Sequence, residues 1–235
     1  MKQSKPFKFK QFEIIQEANP QKVGTDSMLL GAWTTGDFTK ILDIGTGTGI
    51  LALMLAQKYK RANVTAIEPD LASVQEATLN FKNSNFSERI LAIHTSLQQF
   101  GSLDKFDLII SNPPYFDGTF LSQDIHRNRA RHQDNLRIDE LYECAAELLA
   151  ENGRFNVIIP FDIETEHIER AFDQDLFIQE ITHTLSPDGS KKRSLISFGF
   201  EDVDPKIDEI LVKNDKNQYS QDYIDLTKDF YLKDL

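Results

Sequence analysis

Short apolar runs alternate along this chain with stripes of helical period, and the alternation predicts strands and helices in turn. Residues 41–44 hold Ile41, Leu42 and Ile44, too short a run for a helix and apolar enough for a strand buried on both faces. Three glycines follow, Gly45, Gly47 and Gly49, and from Ile50 to residue 59 the pattern is helical. Further short runs at 64–67, 89–94, 108–111 and 154–159 each read as a strand, and helical stripes at 71–83, 138–149 and 163–172 stand between them. Successive strand–helix units of this kind predict a parallel sheet with right-handed crossovers.

The ends of the chain extend that pattern. Residues 8–15 suit a short strand or hairpin arm, and Asn19-Pro20 marks a turn. At 23–33 Thr25 or Asp26 is expected to cap a short helix whose Met28, Leu29, Ala32 and Trp33 share one face, forming a lid over the first strand. Asp70 is expected to cap the helix after the second strand, and Asn152-Gly153 to end the helix that begins at Ile138. Two strands at 177–185 and 194–200 around Ser-Pro-Asp-Gly-Ser predict an antiparallel hairpin finishing the sheet at its edge. Residues 207–212 fit either a strand or one helical turn, and Ser220 suits the cap of a terminal helix with Tyr223, Leu226, Thr227 and Phe230 on one stripe. The sum is an α/β fold, a seven-stranded, mostly parallel sheet with a C-terminal antiparallel hairpin and helices on both faces. Residues 1–235 are read as one domain, with 1–35 a cofactor-pocket and substrate-side extension and 201–235 a C-terminal one. Residues 116–136 lack core periodicity, and a loop of that length is expected to serve as a lid or substrate-binding segment.

Composition narrows the classes. A chain of 235 residues with 40% hydrophobic content can bury a substantial core. No apolar run reaches membrane-spanning length and the start has no signal core, so a cytoplasmic protein without membrane association is the expectation. The single Cys144 rules out an intrachain disulfide, and scattered histidines give no metal-ligand spacing, so no metal is expected. Lys plus Arg total 26 against 37 Asp plus Glu, a net charge of -11 that argues against nonspecific nucleic-acid binding over the whole surface. Basic residues nevertheless cluster: Lys2, Lys5, Lys8 and Lys10; Arg127, Arg129, Arg131 and Arg137; and Lys191, Lys192 and Arg193.

The glycine turn is where ligand chemistry is expected, because glycines admit positive φ and close backbone approach while a helix start offers unpaired amides. Thr46 and Thr48 leave no place for a phosphate-loop lysine, and Asp43 would repel a pyrophosphate while suiting a hydroxyl or a cationic amine. Glu68, at the end of the next strand, stands where a ribose diol is held by a carboxylate. Asn112-Pro113-Pro114-Tyr115 follows the fourth strand on the same edge. There the Asn112 side-chain oxygen and the Pro113 carbonyl are acceptors beside the flat Tyr115 ring, which suits a planar substrate with an amino group.

These motifs resemble the class I S-adenosylmethionine-dependent amino-methyltransferases, whose Rossmann-like fold carries a D/N-P-P-Y/F motif after the fourth strand. The resemblance implies that Asp43, Gly45, Thr46, Gly47 and Gly49 surround the methionine end of S-adenosyl-L-methionine, that Glu68 and Pro69 meet its ribose side, and that Asn112 to Tyr115 hold the target amine, with Asn112 also touching the cofactor. A narrower similarity covers nearly the full chain. Phe7-x-Phe9-Lys10-Gln11-Phe12, Lys22-Val23-Gly24-Thr25-Asp26 leading to Leu30-Gly31-Ala32-Trp33, the 127–132 region and Phe230-Tyr231-Leu232 resemble the bacterial tRNA1(Val) adenine-37 N6-methyltransferase family. In that family the segment equivalent to Lys22, Gly24, Thr25 and Asp26 borders the cofactor pocket. One departure is Ser96, where relatives commonly place an acidic residue for the cofactor adenine, and a hydroxyl accepts that proton less strongly than a carboxylate.

For an RNA substrate, Arg127, Arg129 and Arg131 are expected to contact phosphates while Tyr115 or Phe116 stacks on a flipped adenine. The expected partner is the anticodon region of a tRNA, and the expected state a monomer. Protein glutamine methyltransferases also carry N-P-P-Y, and a nonenzymatic RNA-binding module is the alternative from another class.

Overall fold

The structure, a computed structural model, describes residues 6–17, 24–113 and 137–232. A small hairpin of β1 (Phe7–Lys8) and β2 (Glu13–Ile14) leads to α1 (Thr25–Trp33), β3 (Lys40–Ile44), α2 (Ile50–Lys58), β4 (Asn63–Glu68), α3 (Leu71–Lys82), β5 (Ile90–His94) and β6 (Phe106–Ser111). Then come α4 (Ile138–Leu148), β7 (Leu149–Pro160), α5 (Glu164–Phe172), β8 (Phe177–Leu185), β9 (Lys191–Gly199), β10 (Lys206–Leu211) and α6 (Gln221–Thr227). No helix among the described residues is long and apolar enough to cross a membrane.

The main sheet has eight strands, one more than the seven expected because β10 joins it, in the order β10-β8-β9-β7-β6-β3-β4-β5. All neighbours pair in parallel except β9, which is antiparallel to both β7 and β8. Strand alternation sorts the core into two layers. Ile41, Val64, Leu108 and Ile110 pack with α1, α2, the N-terminal hairpin and α6 on one face. Leu42, Ile44, Ile109, Val157 and Ile196 pack with α4 and α5 on the other.

Three local expectations are corrected. The N-cap of α1 is Gly24 with no side-chain hydrogen bond, not Thr25 or Asp26, because the Asp26 carboxylate is engaged by Arg193 instead. Asn152-Gly153 is not a helix end: α4 stops at Leu148 and these residues lie inside β7, in an excursion between Leu149, opposite Phe106, and Arg154, opposite Leu108. The β8–β9 hairpin is not the sheet edge. The β9 strand returns the chain to the amino edge, and β10 re-enters along the open side of β8, satisfying backbone groups that an edge leaves unpaired. Elsewhere the local chemistry matches: Asp70 Oδ2 accepts from the Ser73 amide, and Ser220 Oγ from the Tyr223 amide, as N-caps. Cys144 is half-buried on α4 against the second core layer.

Candidate active site

The site is built at the carboxyl edge of β3, β4 and β6. After Ile44 the chain must reverse within a few residues to start α2, and Gly45, Gly47 and Gly49 adopt φ of 72°, 54° and 85° to do so. Gly49 has a second constraint, since a Cβ there would lie 2.3 Å from the Phe81 ring. Gly45 differs: a Cβ on it would meet nothing within 4 Å, so the turn faces open space there. The Gly45 and Thr46 amides donate to the Ile67 carbonyl at 3.0 and 3.1 Å, docking the turn onto β4.

Glu68, the last residue of β4, is bound to the same turn. Its Oε2 accepts from the Gly47 amide at 3.0 Å and its Oε1 from the Asp70 amide at 3.1 Å. Each carboxylate oxygen keeps a further lone pair for a ligand hydroxyl. Burial is the main influence raising the Glu68 carboxyl above its ordinary value, against the pull of those two amides. Pro69 is fixed through its carbonyl, 3.0 Å from His94 Nε2. Ser96 begins the short turn after β5, and its hydroxyl makes no hydrogen bond among the described residues.

Strand alternation directs Asp43 beneath α2, on the same face as Ile41. It is fully buried, and its Oδ2 accepts from the Thr46 hydroxyl at 2.5 Å while Oδ1 has no hydrogen-bond partner among the described residues. Burial raises this carboxyl from 3.8 to about 7 despite the opposing Thr46 hydrogen bond.

Asn112 directly follows β6, whose Ser111 hydroxyl donates to the Ile44 carbonyl at 3.0 Å and so ties the strand end to the glycine turn. The Asn112 Nδ2 donates to Ser27 Oγ at 3.1 Å. Ser27 lies in the first turn of α1, a helix clamped at several points. Arg193 Nε holds Asp26 at 2.9 Å, Trp33 Nε1 donates to Thr182 Oγ1 at 2.9 Å, and Lys58 Nζ donates to the Ala32 and Thr34 carbonyls. The lid helix is therefore a fixed strut whose first turn presents Ser27 to the Asn-Pro motif.

Asn80 closes the N-terminal side. Its Oδ1 accepts from the Ile15 amide at 2.8 Å and its Nδ2 donates to the Ile15 and Thr48 carbonyls, so the chain leaving the first hairpin is joined to the glycine turn. The structure thus brings Asp43, Gly45, Thr46, Gly47, Gly49, Glu68 and Asn112 into one neighbourhood through hydrogen bonds, with Gly24 and Thr25 beside Ser27 on α1. Asp26 is turned to Arg193. Lys22, Pro114, Tyr115, Phe116, Arg127, Arg129 and Arg131 lie outside the described residues. Ser27, Asn80, Ser111 and Arg193 were not marked by sequence reasoning as site residues, and the only local signal among them was the basic cluster containing Arg193.

Residues 22–180 match the model of the methyltransferase small domain. The chain is 40% identical to a tRNA1(Val) (adenine(37)-N6)-methyltransferase of Christiangramia forsetii, over 98% of this chain and 99% of the relative. It is 42% identical to the protein of the same name from Flavobacterium johnsoniae, over 97% and 99% of the two chains. Among solved structures, a predicted O-methyltransferase from Agrobacterium tumefaciens superposes with a TM-score of 0.68 at 19% identity, covering 87% of this chain and 96% of the other. A methyltransferase from Pyrococcus furiosus gives 0.55 at 24% identity, over 79% and 88%. Those two likenesses bear on the fold, which is that of the class I methyltransferases, whereas the identities near 40% over full length carry the narrower assignment. This chain is a methyltransferase and belongs to the tRNA1(Val) (adenine(37)-N6)-methyltransferase family.

Proposed function

We propose that the protein uses S-adenosyl-L-methionine to methylate N6 of adenine 37 in tRNA1(Val). The single observation that carries the chemistry is Asn112 at the end of β6 with its amide nitrogen committed to Ser27. In this reading Oδ1, the acceptor end of the amide, receives the exocyclic adenine amine, which needs an acceptor. The amine is a poor nucleophile because its lone pair is delocalised into the ring. Hydrogen bonds accepted from its two N–H groups by Asn112 Oδ1 and the Pro113 carbonyl favour a tetrahedral nitrogen and offset the positive charge that develops there, a gain realised mainly in the transition state.

The residues present fit the cofactor. The open space at Gly45 admits close approach, and Glu68 is aimed by the Gly47 amide with acceptor capacity left for ribose hydroxyls. In this reading Gly45, Thr46, Gly47 and Gly49 cradle the methionine end, Asp43 holds the turn through Thr46, Pro69 and Ser96 meet the nucleoside, and Lys22, Gly24 and Thr25 border the pocket, with Asp26 turned from it to Arg193. Tyr115 and Phe116 stack on the base, and Arg127, Arg129 and Arg131 contact phosphates. Bound there, the cofactor supplies an electrophilic methyl group.

The test is incubation with labelled S-adenosyl-L-methionine and unmodified bulk tRNA, followed by digestion and identification of the methylated nucleoside. N6-methyladenosine at position 37 of tRNA1(Val) is expected. Its absence at saturating protein overturns the reading, and label on protein glutamine would assign the site to the other N-P-P-Y branch.

A further inference from the structure

A second concavity lies on the same edge of the sheet as Asn112, beside the first turn of α1. It encloses about 520 Å³ and is walled by Thr25 and Asp26 of α1, the turn between β8 and β9, and the segment after β10. Because β8 and β10 run parallel to β6, the loops that follow them emerge at the carboxyl edge where the Asn-Pro motif sits. Two to four strand spacings separate this cleft from β6, about 10–19 Å, a distance that a few nucleotides of single strand cover.

Both loop walls are rigid by their own hydrogen bonds. Asp188 Oδ1 accepts from the Ser190 amide and hydroxyl in the β8–β9 turn, and Asn214 Oδ1 accepts from the Lys216 and Gln218 amides in the other. A preformed cleft loses little ordering entropy on binding.

Its charge runs against that of the chain. The lining holds Lys192, Arg193 and Lys213 against Asp26 and Asp215, a surplus of cations in a protein whose net charge is -11. Arg193 neutralises Asp26 at 2.9 Å, which leaves Lys192 and Lys213 against Asp215, a surplus of one cation in the lining. Among the described residues neither lysine forms an ion pair within 4 Å, although the Lys192 charge is felt by Asp188 on the same turn, and Lys213 is steadied by Asn217 Oδ1 at 3.0 Å and by the Tyr219 ring, contacts that leave its charge intact.

We infer that this cleft binds the phosphodiester backbone of the tRNA strand flanking the target adenine, with Lys192 and Lys213 as the phosphate contacts. The inference rests on the function proposed above and extends it from the flipped base to the strand that carries it. Ammonium groups on flexible stems suit phosphates as point charges and read no sequence, so their role is to position the strand.

The experiment compares wild type, K192E/K213E, K192Q/K213Q and K82E, the last placed on α3 as a charge control. Methylation of unmodified tRNA is followed against tRNA and salt concentration, with direct tRNA binding and S-adenosyl-L-methionine binding measured in parallel. K192E/K213E is expected to raise KM for tRNA by about tenfold or more, and both double variants to reduce the log–log salt slope by about 1.4, 0.7 for each lost contact. Saturating kcat and cofactor affinity should stay at the wild-type level, and K82E should match wild type. A folded K192E/K213E enzyme with unchanged KM and salt slope overturns the inference, as does an equal effect from K82E. Should wild type bind tRNA without methylating it, the function proposed above fails while the binding comparison still decides the role of the cleft.

Discussion

The side chains of Ser27 and Asn112, separated by 85 residues, meet at 3.1 Å, Asn112 Nδ2 donating to Ser27 Oγ, and this contact ties the first turn of α1 to the residue that follows β6. On the function proposed above, removing the Ser27 hydroxyl takes away one contact that holds the Asn112 side chain, and its oxygen then spends less time where the target amine requires an acceptor. For Ser27→Ala, kcat should fall about tenfold, the value of one hydrogen bond of about 1.4 kcal/mol, with little change in cofactor affinity. Ser27→Thr, which restores a hydroxyl, should recover most of the loss. An S27A enzyme with unaltered kcat would mean that the backbone of the motif fixes Asn112 unaided.

Asn112→Ala tests the acceptor itself. Loss of one preorganised polar contact in a transition state costs about 10²-fold or more in kcat. Cofactor binding measured by calorimetry should remain within a few fold of wild type. A comparable loss in both quantities would place Asn112 in the cofactor pocket rather than at the methyl acceptor.

Much of this arrangement is legible in the sequence because it is local. Gly45, Gly47 and Gly49 sit between a strand and a helix, and Glu68 closes the next strand, so element periodicity alone brings them to one edge. Ser27–Asn112, Asn80–Ile15 and Arg193–Asp26 have no such signature, since they join residues 85, 65 and 167 apart and depend on how whole elements dock. Asn152-Gly153 shows the converse. The pair has the chemistry of a helix end, but pairing with β6 from Leu149 onward takes the segment into the sheet. Residues 206–211 offer no clear period, and the open edge of β8 decides their state.

Two glycines of one turn should respond differently to alanine. At Gly49 the new Cβ meets Phe81 at 2.3 Å and φ is 85°, so Gly49→Ala should lose about 2–4 kcal/mol of stability from overpacking and left-handed strain together. At Gly45 only the φ of 72° opposes the side chain, and Gly45→Ala should cost about 1–2 kcal/mol. Its methyl group would occupy the open space assigned to the cofactor, so S-adenosyl-L-methionine affinity should drop about tenfold or more by lost close contact. Urea denaturation and cofactor titration of the two variants separate the effects.

Glu68→Gln keeps the shape of the side chain but removes its charge. Hydrogen bonds to a charged group contribute about 1.5–3 kcal/mol, so cofactor affinity should weaken about 10- to 100-fold. The glutamine oxygen can accept from only one of the Gly47 and Asp70 amides that the two carboxylate oxygens now serve, so the variant should also lose about 1 kcal/mol of stability at the turn. Equal affinity of E68Q and wild type would remove Glu68 from the cofactor site.

Two buried groups give the stability of this protein opposing responses to pH. Burial raises the Asp43 carboxyl to about 7, so between 3.8 and about 7 the folded state holds a proton that the unfolded chain has released. Stability from this group therefore falls as pH rises through that window. Burial lowers His167, whose Nδ1 lies 3.0 Å from the Tyr142 hydroxyl, from 6.5 to about 4. Between those values the unfolded chain binds the extra proton, and stability rises with pH. From about pH 4 to 6.5 the two slopes offset one another, each limited to about 1.4 kcal/mol per pH unit. Asp43→Asn should leave the His167 slope uncovered, so that relative to wild type its stability gains with pH across that range. His167→Asn should do the reverse and lose stability with pH up to about 7. Urea denaturation of the three proteins at half-unit steps from pH 4 to 8 reads the differences, and a D43N profile parallel to wild type would show that Asp43 is ionised in the folded state throughout.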